Sequence, residues 1–304
     1  MSVAPSQACL LHFDDETAAA QRLGQAAQLP VKMIDRHRFP DGELKLRLPV
    51  DGAGRLPAHV MLLRSLHDPN EKLVELLLTA RAARTLGARH ITLVAPYMAY
   101  MRQDIAFAPG EVVSQQVVGA FLAGLVDAVI TVDPHLHRVA TLQEAMAVPQ
   151  AIVLSGAEPL ADLIAQRHPN ALLVGPDGES AQWIAQAAAR HGFDHAVCTK
   201  VRHGDRDVTI ELPPLHAQGR AVVLLDDMAS TGRTLAQAAR LLRAAGAASV
   251  DVAVTHALFA GDALQALHDA GAGEVWSTDC IAHASNAVPM AEPLAQALRS
   301  LLPA

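Results

Sequence analysis

The chain has 304 residues, with 24 Lys+Arg against 31 Asp+Glu for a formal net charge of −7, and only 3% aromatic residues. That length predicts two domains with cores of Leu, Val, Ile and Ala, and scattered cations on an acidic chain exclude a broad nucleic-acid surface. No apolar run reaches the roughly 18 residues of a membrane span, MSVAPSQ lacks a secretory pattern, and Cys9, Cys198 and Cys280 read as reduced core thiols, so a cytoplasmic protein without a membrane partner is expected.

ACLLHF (8–13) predicts a short buried strand, followed by a helical pattern over 14–28 and a second strand at VKMID. RFPDGELKLRLP then places a turn at Asp41-Gly42 before the alternating Leu44, Leu46 and Leu48, so the turn presents Phe39, Asp41 and Glu43 together. Strand (60–63), helix (70–87) and strand (91–96) follow in the rhythm of a parallel sheet. PYMAYMRQDIAFAPGE interrupts that rhythm and sets Arg102, Gln103 and Asp104 just past a strand's carboxyl end, where open α/β sheets bind ligands. After a helix over 112–125, the strand AVITVD runs into Pro134-His135-Leu136-His137; Asp133, His135 and His137 there are placed for a metal or a phosphate.

Around Val148-Pro149 the rhythm restarts, giving predicted domains 1–147 and 148–304. AIVL, a helix over 158–166 and ALLVGPDGES follow, the last ending a strand on Asp177; then come a helix over 181–191 and CTKVRHGDRDVTIEL, where Lys200 and Arg202 precede a charged turn, as on an exposed hairpin or flap. AVVLLDDMASTGRT (221–234) is the densest stretch. Five apolar residues end on Asp226 and Asp227, and Ser230, Thr231, Gly232, Arg233 and Thr234 lead into a helix. Small residues at such a turn let backbone N–H groups approach an anion at the positive helix end, and two adjacent carboxylates suit the hydroxyls of a sugar phosphate. A strand SVDVAVTH, a helix over 260–270, a strand EVWSTD and an amphipathic helix over 291–302 complete the chain.

RAARTLGARHITLVA from Arg81 aligns without gaps on RLLRAAGAASVDVAV from Arg240, and upstream HVMLLRSLHDPNEK takes the place of AVVLLDDMASTGRT. The halves therefore read as a duplication, with the carboxylate pair and the loop glycine present only in the second.

Taken in order, RFPDGE, PYMAYMRQD, VDPHLH, GPDGES, KVR and VVLLDDMASTGRT resemble the ribose-phosphate diphosphokinases, or phosphoribosyl pyrophosphate synthetases, most closely the archaeal-type branch with its STG loop and DPH strand end. The resemblance covers nearly the whole chain. It implies an α/β fold of two similar parallel-sheet, phosphoribosyltransferase-like (Rossmann-like) domains, and transfer of a diphosphoryl group from Mg-ATP to the 1-hydroxyl of ribose 5-phosphate, with AMP leaving. By resemblance, Phe39, Asp41, Gly42, Glu43, Arg102 and Gln103 bind ATP; His135 and Asp177 hold Mg²⁺; Lys200 and Arg202 are catalytic. Asp226, Asp227 and Ser230 through Thr234 bind ribose 5-phosphate. A homo-oligomer built from dimers is also implied, and RSLHDPNEK resembles a region used for subunit contact and allosteric phosphate or ADP binding. Ser230 stands where many members have Asp, Arg233 replaces a small residue, and IAFAPGE is less basic than in many members. The alternatives are a type I phosphoribosyltransferase and a non-catalytic regulatory homologue; the lack of GxxxxGK[ST] excludes a P-loop kinase.

Overall fold

The computed structural model describes residues 7–136, 138–202 and 208–302, with backbone alone at 201, 202, 208 and 209. The chain divides into two compact units, 1–154 with 291–304 and 155–290.

The first unit contains β1 (Ala8–His12), α1 (Thr17–Ala27), β2 (Val31–Met33), β3 (Asp35–Arg38), β4 (Leu44–Arg47), β5 (His59–Leu63), α2 (Pro69–Thr85), β6 (His90–Ala95), α3 (Ser114–Ala123), β7 (Ala128–Val132), α4 (Leu142–Ala145) and β8 (Gln150–Leu154). Six of these strands form a parallel sheet in the order β2-β1-β5-β6-β7-β8. Central β6 and β7 bury nearly every residue, as expected of strands covered on both faces. α1 turns Ala20, Leu23, Gly24 and Ala27 inward at the spacing of one helical face. β3 and β4 stand apart as an antiparallel hairpin.

The second unit contains α5 (Ala157–Arg167), β9 (Leu172–Gly175), α6 (Ala181–His191), β10 (Asp194–Val197), β11 (Thr199–Arg202), β12 (Val208–Glu211), β13 (Ala221–Ala229), α7 (Arg233–Ala244), β14 (Ser249–Ala257), α8 (Ala263–Asp269), β15 (Val275–Thr278) and β16 (Asn286–Val288). Its parallel sheet runs β10-β9-β13-β14-β15-β16, with β11 and β12 as a separate antiparallel hairpin. Its core is almost wholly aliphatic, from Val222 and Leu224 to Leu235, Leu242, Val252 and Leu267. The last helix, α9 (Ala291–Leu301), belongs to the first unit and packs on α1, where Arg299 donates to the Ala26 carbonyl at 2.8 Å.

Both sheets thus have the same strand order, with a hairpin inserted between their second and third strands in sequence. The ungapped sequence match survives in the register: His59 faces His90 and Leu63 faces Val94, as Ala221 faces Ser249 and Leu225 faces Ala253. The boundary differs from the expected 147/148. The strand over 150–154 pairs with β7 from Ala128↔Gln150 to Val132↔Leu154, so it closes the first sheet instead of opening the second. An apolar strand announces burial but not which sheet edge it joins, and the return of α9 has no sequence signal of its own.

Candidate active site

In the second unit the candidate residues Asp177, Asp226 and Asp227 collect toward the carboxyl ends of β9 and β13. β13 is longer than its apolar run: the ladder continues from Asp226↔Val254 to Ala229↔Ala257, so Asp226 and Asp227 lie within the strand, not just beyond it as expected. The Asp227 amide donates to the Asp226 side chain at 3.0 Å. Burial, then the charges of Asp227 and Asp177, holds the Asp226 carboxyl well above its usual range. This is a crowded cluster of carboxylates, with the Lys200 ammonium at its edge.

Asp177 follows β9 and caps the turn 178–180, its side chain accepting from the Glu179 amide at 3.1 Å. The ammonium of Lys200, on β11, lies 3.4 Å from Asp177 Oδ2. Arg202 ends the same strand, and its side chain lies outside the described residues. Burial, with Asp177 nearby, pushes the Cys198 thiol up to about 11, so this cysteine packs and does not react.

Ser230 and Thr231 link β13 to α7, and Gly232 forms the N-cap at φ +67°. A Cβ there would meet the Ala263 carbonyl oxygen at 3.2 Å, so both the left-handed backbone and the close approach require glycine. Phe259 and Ala260 donate to the Ala229 and Ser230 carbonyls, fixing the loop from the other side. The first turn of α7, with Arg233 and Thr234, leaves N–H groups without helical partners. Among the described residues Arg233 makes no ion pair, although it is exposed at a helix end whose dipole disfavours a cation.

In the first unit, the turn between β3 and β4 carries Phe39, Asp41, Gly42 and Glu43. The Gly42 amide donates to the Phe39 carbonyl, the Phe39 amide to the Glu43 carbonyl, and Gly42 adopts φ +93°. Phe39 is 40% exposed and meets the His37 ring edge-on at 4.9 Å. Arg102 and Gln103 lie in the segment after β6; Arg102 is exposed, and Gln103 donates its side-chain amide to the Ile105 carbonyl. Buried Asp104 instead holds Arg138 at 2.6 Å. Asp133 and His135, after β7, have φ of +36° and +50°, a strained backbone for non-glycine residues and common at ligand-binding positions. His137 lies outside the described residues. No group of three or more metal-ligating side chains is assembled among the described residues.

Sequence reasoning missed an ion-pair network in this unit. Fully buried Glu75 bridges Arg36 and Arg64, each at 2.5 Å, while Arg64 also holds Asp15 and Glu16. The signal was present: in the duplicated frame Arg64-Ser65 occupies the place of Asp226-Asp227. Among the described residues no helix is long and apolar enough to cross a membrane.

A family model described as the N-terminal domain of ribose phosphate pyrophosphokinase matches residues 8–125, and one described as a phosphoribosyl transferase domain matches residues 150–293. The chain is 36% identical over 284 residues to the ribose-phosphate pyrophosphokinase of Methanopyrus kandleri, covering 92% of this chain and 95% of that protein. Ribose-phosphate pyrophosphokinase 1 of Archaeoglobus fulgidus is 34% identical over 284 residues, with the same shares covered. The crystal structure of phosphoribosylpyrophosphate synthetase from Mycobacterium smegmatis matches with a TM-score of 0.82 and 24% identity over 97% of this chain and 98% of that one, a likeness of fold. Matches to both halves and identity along nearly the full length of these relatives place the chain in the ribose-phosphate pyrophosphokinase family.

Proposed function

We propose that the protein is a ribose-phosphate diphosphokinase: the 1-hydroxyl oxygen of ribose 5-phosphate attacks the β-phosphorus of ATP, the bond to the α-phosphate bridging oxygen breaks, and AMP leaves. The observation that carries this reading is the convergence of Asp177, Lys200, Asp226 and the glycine-capped loop at one end of the second sheet.

Each residue type fits its role. The N–H groups opening α7 and the Arg233 guanidinium receive the 5-phosphate, with Ser230, Thr231, Gly232 and Thr234 forming the cradle. Asp226 and Asp227 accept hydrogen bonds from the ribose hydroxyls and orient the 1-hydroxyl. Lys200 and Arg202 neutralise charge on the transferring group and the leaving oxygen, a reaction that needs positioning and electrostatics more than covalent help. Phe39 offers an exposed ring for a base to stack on; Asp41, Gly42, Glu43, Arg102 and Gln103 complete the nucleotide site.

The donor set fits Mg²⁺. Asp177, whose charge reaches the Asp226 carboxyl in the second unit, and His135 in the first are the residues that would hold it, and an ion of this kind, which keeps much of its water, asks for few protein ligands. Bound there, Mg²⁺ would supply neutralisation of the polyphosphate charge. Three buried free thiols suit a reducing cytoplasm. A homo-oligomer belongs to the same proposal, and Val74 and Leu78, one turn apart on α2, are exposed apolar candidates for its contacts.

Purified protein with Mg²⁺, ATP and ribose 5-phosphate tests the reading directly: AMP and phosphoribosyl pyrophosphate appear in equal amounts. Formation of ADP, or no AMP, would overturn it.

A further inference from the structure

The registers of the two sheets pair off positions beyond the strands themselves. Cys9 faces Val60 as Leu172 faces Val222, which gives Asp14 the position in the first unit that Asp177 has in the second. Leu10 faces Val31 as Leu173 faces His195, which gives Arg36 the position of Lys200 and Arg38 that of Arg202. One contact is kept in both units: Arg36 lies 2.5 Å from Asp14, as Lys200 lies 3.4 Å from Asp177.

The surroundings have diverged. At the position of Asp226 the first unit has Arg64, almost wholly buried, with Asp15, Glu16 and Glu75 around it. At the start of α2, Glu71 takes the position of Arg233 and pairs with Arg38. Arg36 and Arg38 are two apart on a strand, about 6.7 Å, and Glu75 and Glu71 are four apart on a helix, about 6 Å. The two spacings match, so the hairpin is fastened to α2 at two points. Arg36 also lies over the Phe13 ring at 5.4 Å. A cavity of about 280 Å³ remains beside the network, bounded by Arg36, Arg38, Arg64 and Lys72 with Asp15 and Glu71.

An isolated two-stranded hairpin is marginal in water, and the outward residues of β3 and β4 bury little. Its inward Leu44 and Leu46 are only half-buried beside α2, so these charge contacts carry much of its orientation. We infer that Arg36 and Glu75 are positioning residues that hold the β3–β4 hairpin against α2, so that Phe39, Asp41 and Glu43 are presented in a fixed geometry to the nucleotide. This rests on the reading that the hairpin tip takes ATP.

Steady-state kinetics of Arg36→Gln, Arg36→Lys, Glu75→Gln, Phe39→Ala and the Arg36→Gln/Phe39→Ala double variant test it. Arg36→Gln is expected to raise KM for ATP about tenfold while KM for ribose 5-phosphate and kcat stay within about twofold, and Arg36→Lys to recover most of the loss. The double variant is expected to be little worse than either single one, because a displaced ring has already lost its contact. Glu75→Gln reproduces Arg36→Gln if it folds; Arg36→Gln, which leaves the Glu75–Arg64 pair in place, decides the matter if it does not. If Phe39→Ala raises KM for ATP and Arg36→Gln does not, or if Arg36→Gln raises both KM values equally, the positioning role is wrong. If Phe39→Ala itself leaves KM for ATP unchanged, the nucleotide reading of the hairpin fails and takes the inference with it.

Discussion

The Lys200 ammonium rests 3.4 Å from a carboxylate oxygen of Asp177, so the cation proposed to stabilise the transferring group is already held over the acid cluster by a neighbour of that cluster. Replacing Lys200 by Ala removes one charge from the transition state and little from the core. Turnover is expected to fall by about two to three decades, with an unchanged circular dichroism spectrum and KM values moved far less than kcat. A fall of less than threefold in AMP formation would remove Lys200 from the mechanism.

Asp226 makes stability depend on pH in a defined sense. Its folded-state value lies above the ordinary 3.8, so the native chain holds this proton more tightly than the unfolded chain. The associated stabilisation is complete below about pH 3.8 and is lost as pH rises through the folded value. Above that value the buried charge is a cost. Asp226→Asn is therefore expected to raise Tm by roughly 2–4 °C at pH 8 while abolishing ribose 5-phosphate binding. Calorimetry across pH checks the first outcome; a lower Tm for the variant would contradict the cluster's electrostatics.

Gly232→Ala places a Cβ 3.2 Å from the Ala263 carbonyl oxygen on a backbone at φ +67°. The strain is expected to cost about 1–3 kcal/mol and to distort the phosphate cradle. Ribose 5-phosphate affinity should fall more than ATP affinity, as read by titration of each ligand. Equal loss of both would argue against a local effect.

Arg233, exposed and without an ion pair among the described residues, is expected to clamp phosphate. Arg233→Ala should raise KM for ribose 5-phosphate about tenfold, and the effect should shrink at high salt. A lower KM would mean that the arginine crowds the loop.

Burial raises Cys9 and Cys198 to about 11, leaving roughly one thiolate in a thousand at pH 8. Iodoacetamide labelling, followed by mass spectrometry, is expected to modify these residues only after unfolding. Rapid labelling of the native chain would show that β1, which carries Cys9, or the segment between β10 and β11, which carries Cys198, opens.

The parts of the fold written in local chemistry were legible in advance. Continuous aliphatic runs gave the central strands, Asp41-Gly42 gave the hairpin, and the Gly232 loop gave the helix start. What the sequence concealed was long-range. β8 and α9 join the first unit through sheet-edge pairing and helix packing, neither of which has a local pattern. Arg64 and Glu75 looked like ordinary helix and strand-end charges until the fold buried them together. The equivalence of Arg36 to Lys200 was hidden because the two hairpins, alike in strand length and spacing, differ in composition, and only strand register aligns them.

The return of α9 to the first unit means that the polypeptide crosses between the units twice, near residues 154 and 290. After a single proteolytic nick near 154 the second unit stays covalently joined only to α9, so residues 1–154 are held by the packing of that helix, and a fragment ending at residue 154 lacks the helix that packs on α1. The second unit is topologically a guest within the first, so expressing the halves separately calls for residues 291–304 to be grafted back.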